Sequence, residues 1–230
     1  HTIYKEYGLT LDDINLDEYY DELVANPNID KKKKDAREML NTIAQTQLQS
    51  GYPYLMFKDN ANKVHANSDI GQIKMSNLCT EIFQLQETSI INDYGTEDEI
   101  KRDISCNLGS LNIVNVMESG KFKDSVHTGM DALTVVSDEA DIQNAPGVRK
   151  ANRELHSVGL GVMNLHGYLA KNKIGYESEE AKDFANIFFM MLNYYSIERS
   201  MEIAKERQEV YKDFEQSDYA NGKYFEFYTS

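Results

Sequence analysis

Apolar residues recur at helical spacing along the first fifty positions of the chain. This spacing predicts a helix over residues 16–25 and a second one from near Asp30, after an Asn-Pro-Asn turn, to Gly51. The run Lys31–Lys34 would then lie in the first turn of the second helix, where we interpret it as a solvated face rather than an anion-binding patch. The apolar stripe of the second helix comprises Ala36, Met39, Leu40, Ile43, Ala44 and Leu48.

The middle of the chain has a different pattern, with short apolar runs separated by polar segments. Such runs are typical of buried strands, whereas the polar, asparagine-rich residues 59–68 predict a loop. The last apolar run is interrupted by Gly109. The predicted strand-like segments are 54–57, 73–75, 82–85 and 104–113.

Helical spacing returns beyond residue 120. One long helix is predicted over residues 148–171, and its three glycines indicate close packing against another element. Another is predicted over residues 177–207, with Ser178 as its N-cap. Helices around a strand-rich middle favour an α/β layer arrangement. The predicted buried positions are Val126, Met130, Leu133, Val136 or Ser137, Phe184, Ile187, Phe188, Met191, Leu192 and Tyr195.

Composition and charge exclude several classes of protein. The chain has 230 residues, 41% hydrophobic and 27% charged, so a packed core is feasible. The formal net charge of −14 should repel phosphate backbones, so nucleic-acid binding is disfavoured. No apolar run or leader pattern predicts a membrane segment, and two cysteines make no secreted disulfide framework, so a cytoplasmic location is expected. Both ends, His1 and Ser230, are expected to be cuts through a longer polypeptide.

The loop between the two central strand-like segments, Met75–Ile82, carries the most suggestive chemistry. Alternate residues of an extended backbone point the same way, so Asn77, Cys79 and Glu81 are predicted to share one face. An amide can orient a hydroxyl, a carboxylate can accept its proton, and a thiol can act as a nucleophile or redox group. Spacing alone favours a different interpretation, in which Cys79 is a small core residue and Glu81 a surface charge.

The second cysteine, Cys106, lies in an apolar stretch, where a cysteine is usually buried and inert. A disulfide between Cys79 and Cys106 is compatible with the sequence, but spacing does not establish that their Cα atoms are close enough. The five histidines show no metal-ligand spacing, so we expect no metal site in this chain. His166 is interpreted as a packing residue.

Four collinear blocks resemble one known family. Met-Ser-Asn-Leu-Cys-Thr-Glu-Ile, residues 75–82, resembles the finger-loop motif of ribonucleotide reductase large subunits. Ser-Gly-Tyr-Pro-Tyr-Leu-Met-Phe, residues 50–57, is similar to a stretch of the class Ib branch. The segments 104–113 and 159–168 also match, the first being the one that holds a redox cysteine in the family. The resemblance covers nearly the whole chain.

This resemblance implies a fold and a set of residue roles. The fold would be part of a ten-stranded α/β barrel with a finger loop, and residues 1–230 would be a single segment of the barrel domain. Within it, 1–50 would be a helical lead-in, 51–114 the strands and finger loop, and 115–230 mainly helical. Cys79 would become the thiyl radical, Glu81 the proton acceptor, Asn77 the ribose-binding amide and Cys106 one redox-active cysteine. The implied substrate-binding residues are Ser76, Asn77, Leu78, Cys79, Thr80 and Glu81.

The resemblance also implies partners that the chain itself does not supply. The substrate would be a ribonucleoside diphosphate, and the radical would come from a small, metal-containing partner subunit, with no cofactor in this chain. A thioredoxin- or glutaredoxin-like reductant, nucleoside triphosphate effectors and homodimer formation would belong to the full subunit. Further family elements, including a second redox cysteine, are absent from these 230 residues, so the segment alone is expected to be inactive.

Two interpretations from other classes remain. One is a non-enzymatic helical interaction domain, which would be favoured by a Cys79 buried inside a regular helix. The other is a cysteine-nucleophile hydrolase, in which His127, His156 or His166 would lie within hydrogen-bond reach of Cys79.

Overall fold

A computed structural model describes residues 2–92 and 94–226 of the chain. The chain divides into two compact units, which we describe separately: unit 1 comprises His1–Gln86 with Glu215–Ser230, and unit 2 comprises Glu87–Phe214. Among the described residues, no helix combines the length and the apolar character needed to cross a membrane.

Unit 1 is built from short helices joined by irregular segments. The predicted first helix is confirmed as α2, with Asn15 as its N-cap, and the second helix, α3, ends as predicted at Gly51, whose φ is 77°. A small core of Ile14, Leu23 and Ile29 packs beside α2. The helices are α1 (Thr2–Tyr7), α2 (Leu16–Ala25), α3 (Ala36–Ser50), α4 (Lys58–Val64), α10 (Asp218–Asn221) and α11 (Lys223–Glu226).

Two expectations about α3 are wrong. The helix begins only at Ala36, because the Asp35 side chain accepts a hydrogen bond from the Glu38 amide and caps it there. The run Lys31–Lys34 therefore precedes the helix, and Lys31 Nζ instead donates to backbone carbonyls at the end of α2. No residue of α3 is fully buried, and apart from the half-buried Ile43 its apolar stripe is exposed, with Leu48 at 88% exposure.

The strands predicted in unit 1 are not observed among its described residues. The segments 54–57, 73–75 and 82–85 are irregular, and Phe57 is exposed rather than buried. A strand requires a hydrogen-bonded neighbour, and no strand of the described part of this unit supplies one. The predicted loop over residues 59–68 is also wrong in its first part, because Lys58–Val64 forms α4.

Unit 2 contains a two-stranded parallel sheet, β1 (Leu108–Asn112) and β2 (Gly159–Met163). The helix predicted over residues 148–171 is therefore wrong, because β2 divides it. The close packing predicted from its glycines is confirmed at Gly159, where an added Cβ would lie 2.6 Å from Leu108 Cδ2 on the paired strand. The helices of this unit are α5 (Ile113–Ser119), α6 (Phe122–Glu139), α7 (Pro146–Leu155), α8 (Leu165–Lys171) and α9 (Glu179–Arg207).

The core of unit 2 lies where α6 and α9 pack beside the sheet. Ile113, Val126, Phe188 and Leu192 are its buried members. The Ser178 side chain caps α9 as predicted, accepting a hydrogen bond from the Ala181 amide at 3.2 Å. Burial was predicted correctly for the α6 positions Val126, Met130, Leu133 and Ser137. On α9, Ile187 was also predicted to be buried but is exposed.

A buried polar network holds the beginning of β1. Asn152 Oδ1 accepts hydrogen bonds from Asn107 Nδ2 at 2.7 Å and from Ser137 Oγ at 2.9 Å, and Asn152 Nδ2 donates to the Ser137 carbonyl at 2.7 Å. All three residues are buried. Because Asn107 directly follows Cys106 in sequence, this network also restrains the backbone that carries Cys106.

Substituting alanine for Asn152 is expected to destabilise unit 2 strongly. The change removes three hydrogen bonds and leaves the buried Ser137 hydroxyl without its acceptor, while Asn107 Nδ2 keeps only its bond to the Ser157 carbonyl, so the free energy of unfolding should fall by about 3 kcal/mol. Urea unfolding measures this, with Asn186→Ala on the exposed face of α9 as the control, expected to change stability by about 0.5 kcal/mol or less. Equal losses in the two variants would contradict the prediction.

Candidate functional site

The predicted finger loop begins on a firmly held base in unit 1. Asn62 of α4 accepts a hydrogen bond from the Ile73 amide at 2.8 Å and donates one to the Ile73 carbonyl at 2.9 Å. The next residue, Lys74, forms an ion pair with Asp13 at 2.6 Å. Ile73 is completely buried, so the loop begins at a fixed point.

The tip of the loop is a turn rather than an extended segment. The Thr80 amide donates to the Asn77 carbonyl at 3.0 Å. Thr80 has a φ of 64°, a left-handed conformation that costs a non-glycine residue about 1–3 kcal/mol and persists where neighbouring contacts enforce it. The Ser76 hydroxyl closes the turn by donating to the Ile82 carbonyl at 2.6 Å.

A turn interrupts the backbone between Asn77 and Glu81, so the shared face of Asn77, Cys79 and Glu81 stays a prediction. Asn77 Oδ1 instead accepts hydrogen bonds from the backbone amides of Glu81 at 3.2 Å and Ile82 at 3.1 Å, so it braces the turn. Its Nδ2 group makes no hydrogen bond within the described part of the chain. Asn77, Cys79 and Glu81 still lie within one short turn, and the Nδ2 donor of Asn77 is available to a bound molecule.

The groups expected to react are open to solvent. Cys79 is an exposed, free thiol, and Glu81 is exposed two residues later. Of the other residues implied to bind substrate, Leu78 is 82% exposed, while Ser76 and Thr80 are half-buried. The turn therefore presents its thiol and carboxylate outwards, which is what contact with a separate molecule requires.

Tyr54 is a neighbour of this turn that sequence patterns did not reveal. The phenol of Tyr52 raises the pKa of Tyr54 by charge and hydrogen bonding, partial burial adds to the rise, and the negative charges of Cys79 and Glu81 raise it further. The two tyrosine rings lie 5.0 Å apart. The segment was predicted as a buried strand, and nothing in that prediction linked Tyr54 to Cys79 or Glu81.

Cys106 lies in unit 2, immediately before β1, and it is exposed. The expectation of a buried cysteine is therefore wrong. Asn107 follows it and is anchored by the buried network with Asn152, and the Asn107 carbonyl accepts a hydrogen bond from the Gly159 amide at 2.8 Å. An accessible sulfur on an anchored backbone suits a redox role.

Comparison with known proteins decides the family. The family model for the barrel domain of ribonucleotide reductase matches residues 1–230. The chain belongs to the ribonucleotide reductase family. Its mixed helices and strands are those of a segment of that α/β barrel domain, as the sequence predicted.

Relatives from several bacteria agree with this assignment. A ribonucleoside-diphosphate reductase subunit alpha from Bacillus subtilis is 56% identical over 230 residues, which cover all of this chain and 33% of the relative. The subunit alpha from Mycoplasma pneumoniae is 43% identical over 229 residues, covering 99% of this chain and 31% of the relative. The one from Treponema pallidum is 30% identical over 241 residues, covering 98% and 28%. The chain thus spans about a third of the length of these relatives.

Two described histidines of this reductase segment, His127 and His166, have partners other than Cys79. His127 Nε2 lies 3.1 Å from Glu198 Oε2, and Glu202 completes a group of three potential metal ligands that sequence spacing did not indicate. Glu198 is also bound by Lys123 at 2.7 Å, and Glu202 is bound by an arginine on the same helix. Ion pairs therefore account for this cluster. The ring of His166 lies 5.8 Å from the ring of Tyr176, but His166 is exposed rather than packed in the interior as had been expected.

Acid is expected to weaken the base of the finger loop through Asp13. Hydrogen bonds from Lys74 and Thr10 lower the pKa of Asp13 to about 2. A lowered folded-state pKa contributes stability that is present above the unfolded pKa of about 4 and is lost as the pH falls towards 2. Because both partners are about one-third exposed, we expect this contribution to be about 1 kcal/mol after solvent screening.

The measurement compares the unfolding free energies of the wild type and Asp13→Asn at pH 6 and near pH 2. The difference should be present at pH 6 and nearly absent at the lower pH. Asp12→Asn, at an exposed neighbouring position, is the control. A difference that does not change with pH would show that the carboxylate of Asp13 is not the stabilising group.

Proposed function

We propose that this chain is the part of a ribonucleoside-diphosphate reductase large subunit that carries the radical-forming cysteine, Cys79. The observation that carries the proposal is the exposed thiol of Cys79 in a turn with Glu81 and Asn77, in a chain of this family. The complete enzyme would convert ribonucleoside diphosphates to 2′-deoxyribonucleoside diphosphates, the precursors of DNA. The segment alone would be inactive.

The first chemical step belongs to Cys79 and Glu81. A thiyl radical on Cys79 takes the hydrogen atom from C3′ of the ribose, so a C–H bond breaks and an S–H bond forms. The Glu81 carboxylate accepts the proton of the 3′-hydroxyl. A carbon radical beside an ionising hydroxyl expels its neighbouring group more readily, so the 2′-hydroxyl leaves as water once a thiol of the redox cysteine pair has protonated it.

Asn77 and Cys106 would complete the chemistry. Because Asn77 Oδ1 is used within the turn, the Nδ2 group would donate to the ribose hydroxyls. Cys106 and a second cysteine outside these 230 residues would supply two electrons and form a disulfide. Cys79 would then return its hydrogen atom to C3′, which regenerates the thiyl radical.

The partners follow from this chemistry. The radical would originate in a small, metal-containing subunit, because this chain is expected to hold no cofactor of its own. A thioredoxin- or glutaredoxin-like protein would reduce the disulfide, and nucleoside triphosphate effectors and dimer formation would belong to the complete subunit. A cytoplasmic location fits the need for such a dithiol reductant.

The test is an activity assay of the complete large subunit with its small subunit, a ribonucleoside diphosphate and a dithiol reductant. We expect 2′-deoxyribonucleoside diphosphate as the product. Formation of no deoxynucleotide by a correctly assembled complex would refute the proposal. Cys79 is exposed in a turn, not buried in a helix, so the structure does not favour the helical interaction domain.

A further inference from the structure

The side chain of Asn62, in the short helix α4, is hydrogen-bonded to the backbone at the base of the finger loop. Its side-chain amide forms a pair of hydrogen bonds with one residue of another segment, accepting from the Ile73 amide at 2.8 Å and donating to the Ile73 carbonyl at 2.9 Å. Asn62 Nδ2 also donates to the Lys58 carbonyl at 3.0 Å, one turn earlier in α4. One side chain thus ties α4 to the base of the finger loop.

This pair of bonds replaces the neighbouring strand that Ile73 lacks. A buried residue must satisfy its amide and carbonyl groups, and each group left without a partner costs free energy comparable to a lost hydrogen bond. Ile73 is completely buried and lies in no sheet. The planar amide of Asn62 presents an acceptor and a donor together, as a strand's peptide groups would. Its position therefore determines where residue 73 lies.

The rest of the loop is held together by its own side chains. Ser76 Oγ donates to the Ile82 carbonyl at 2.6 Å, and Asn77 Oδ1 accepts from two backbone amides of the turn. Gln86 Nε2 donates to the Met75 carbonyl at 2.5 Å, which joins the two sides of the loop. These contacts make the segment from Met75 to Gln86 an internally braced body, which is attached through residues 73 and 74 at its start and through the buried Leu85 near its end.

We propose that Asn62 is a positioning residue for the proposed radical chemistry, because its clamp on Ile73 sets where the braced loop holds Cys79 and Glu81. The inference rests on the proposed function. Asn62 acts through the loop and does not touch the reacting groups. Hydrogen transfer between a sulfur and a ribose carbon depends steeply on their separation, and a displacement of about 1 Å at a reacting centre can cost about 10²-fold in rate.

The experiment uses Asn62→Ala in the complete large subunit, assayed with its small subunit, a ribonucleoside diphosphate and a dithiol. We expect kcat per folded subunit to fall by about 10²-fold, with KM changed by about threefold or less. Asn60→Ala is the matched control, because Asn60 is an exposed asparagine on the same helix, and its kcat should equal that of the wild type. A purely structural role would lower the folded fraction and leave kcat per folded subunit unchanged.

Hydrogen exchange at the Ile73 amide provides a readout that does not depend on activity. Exchange should be slow in the wild type and in Asn60→Ala, and about tenfold or more faster in Asn62→Ala. Should Asn62→Ala fail to fold, Asn62→Asp serves instead. It keeps the acceptor for the Ile73 amide but loses the bonds donated to the Ile73 and Lys58 carbonyls, and its kcat should fall by about tenfold or more.

The possible outcomes separate this inference from the proposed function. Two results would overturn the positioning role while leaving the radical chemistry of Cys79 intact. One is unchanged hydrogen exchange at the Ile73 amide in Asn62→Ala. The other is faster exchange in Asn62→Ala together with a kcat equal to that of Asn60→Ala. A wild-type complex that makes no deoxynucleotide would overturn the proposed function, and with it the role assigned to Asn62.

Discussion

Replacing Cys79 by serine in the complete large subunit is expected to lower kcat by about 10⁴-fold or more while leaving the Kd for the ribonucleoside diphosphate nearly unchanged. Serine preserves the size of the side chain, and no hydrogen bond from the Cys79 sulfur within the described residues supports the turn. What serine cannot supply is a hydrogen-abstracting sulfur radical, because its O–H bond is much stronger than the S–H bond. The loss should therefore lie in chemistry rather than in binding.

The measurement for Cys79→Ser is deoxynucleotide formation, together with isotope release from a substrate labelled at C3′. Cys106→Ser is the matched control, since it removes the other cysteine thiol of the chain. It should also stop net reduction, because no disulfide can form, but it should still permit cleavage of the C3′–H bond. Turnover by Cys79→Ser, or isotope release equal to that of Cys106→Ser, would remove Cys79 from the role of the radical carrier.

The second large effect is expected at Glu81. Glutamine in place of Glu81 keeps the length of the side chain and the backbone amide that Asn77 Oδ1 binds, but it cannot accept the proton of the 3′-hydroxyl. A positioned general base contributes about 10²–10⁴-fold to a rate, so we expect kcat to fall by that factor with little change in KM.

The pH dependence of kcat makes the test of Glu81 specific. The acidic limb of the wild-type profile, which arises when a catalytic carboxylate becomes protonated, should disappear in Glu81→Gln. Glu97→Gln, at an exposed position in unit 2, is the control and should retain the wild-type rate and profile. A Glu81→Gln enzyme that keeps both the rate and the acidic limb would show that another group accepts the proton.

The residues of the proposed site were identifiable from the sequence, but their arrangement was not. The motif around Cys79 carries the resemblance to the reductase family, and the family match over the whole chain confirms it. The expectation of an extended loop failed because the Asn77 side chain binds the amides of Glu81 and Ile82, which folds the backbone into a turn. Tyr54 and Asn62 escaped notice because their neighbours are distant in sequence.

The sequence by itself determined the features of the fold that depend on local interactions. Helices α2, α6 and α9 follow from apolar spacing, and Asn15 and Ser178 cap the first and last of these through bonds that span two or three residues. Such contacts are visible in a sequence because the partners are neighbours along the chain.

Only the tertiary structure decided whether the short apolar runs become strands and which polar groups meet. A strand exists only where another backbone pairs with it, as β1 does with β2 across about fifty residues, whereas Ile73 is paired by the side chain of Asn62. Hydrogen bonds between distant segments depend on the packing of the whole unit, so no local pattern encodes them.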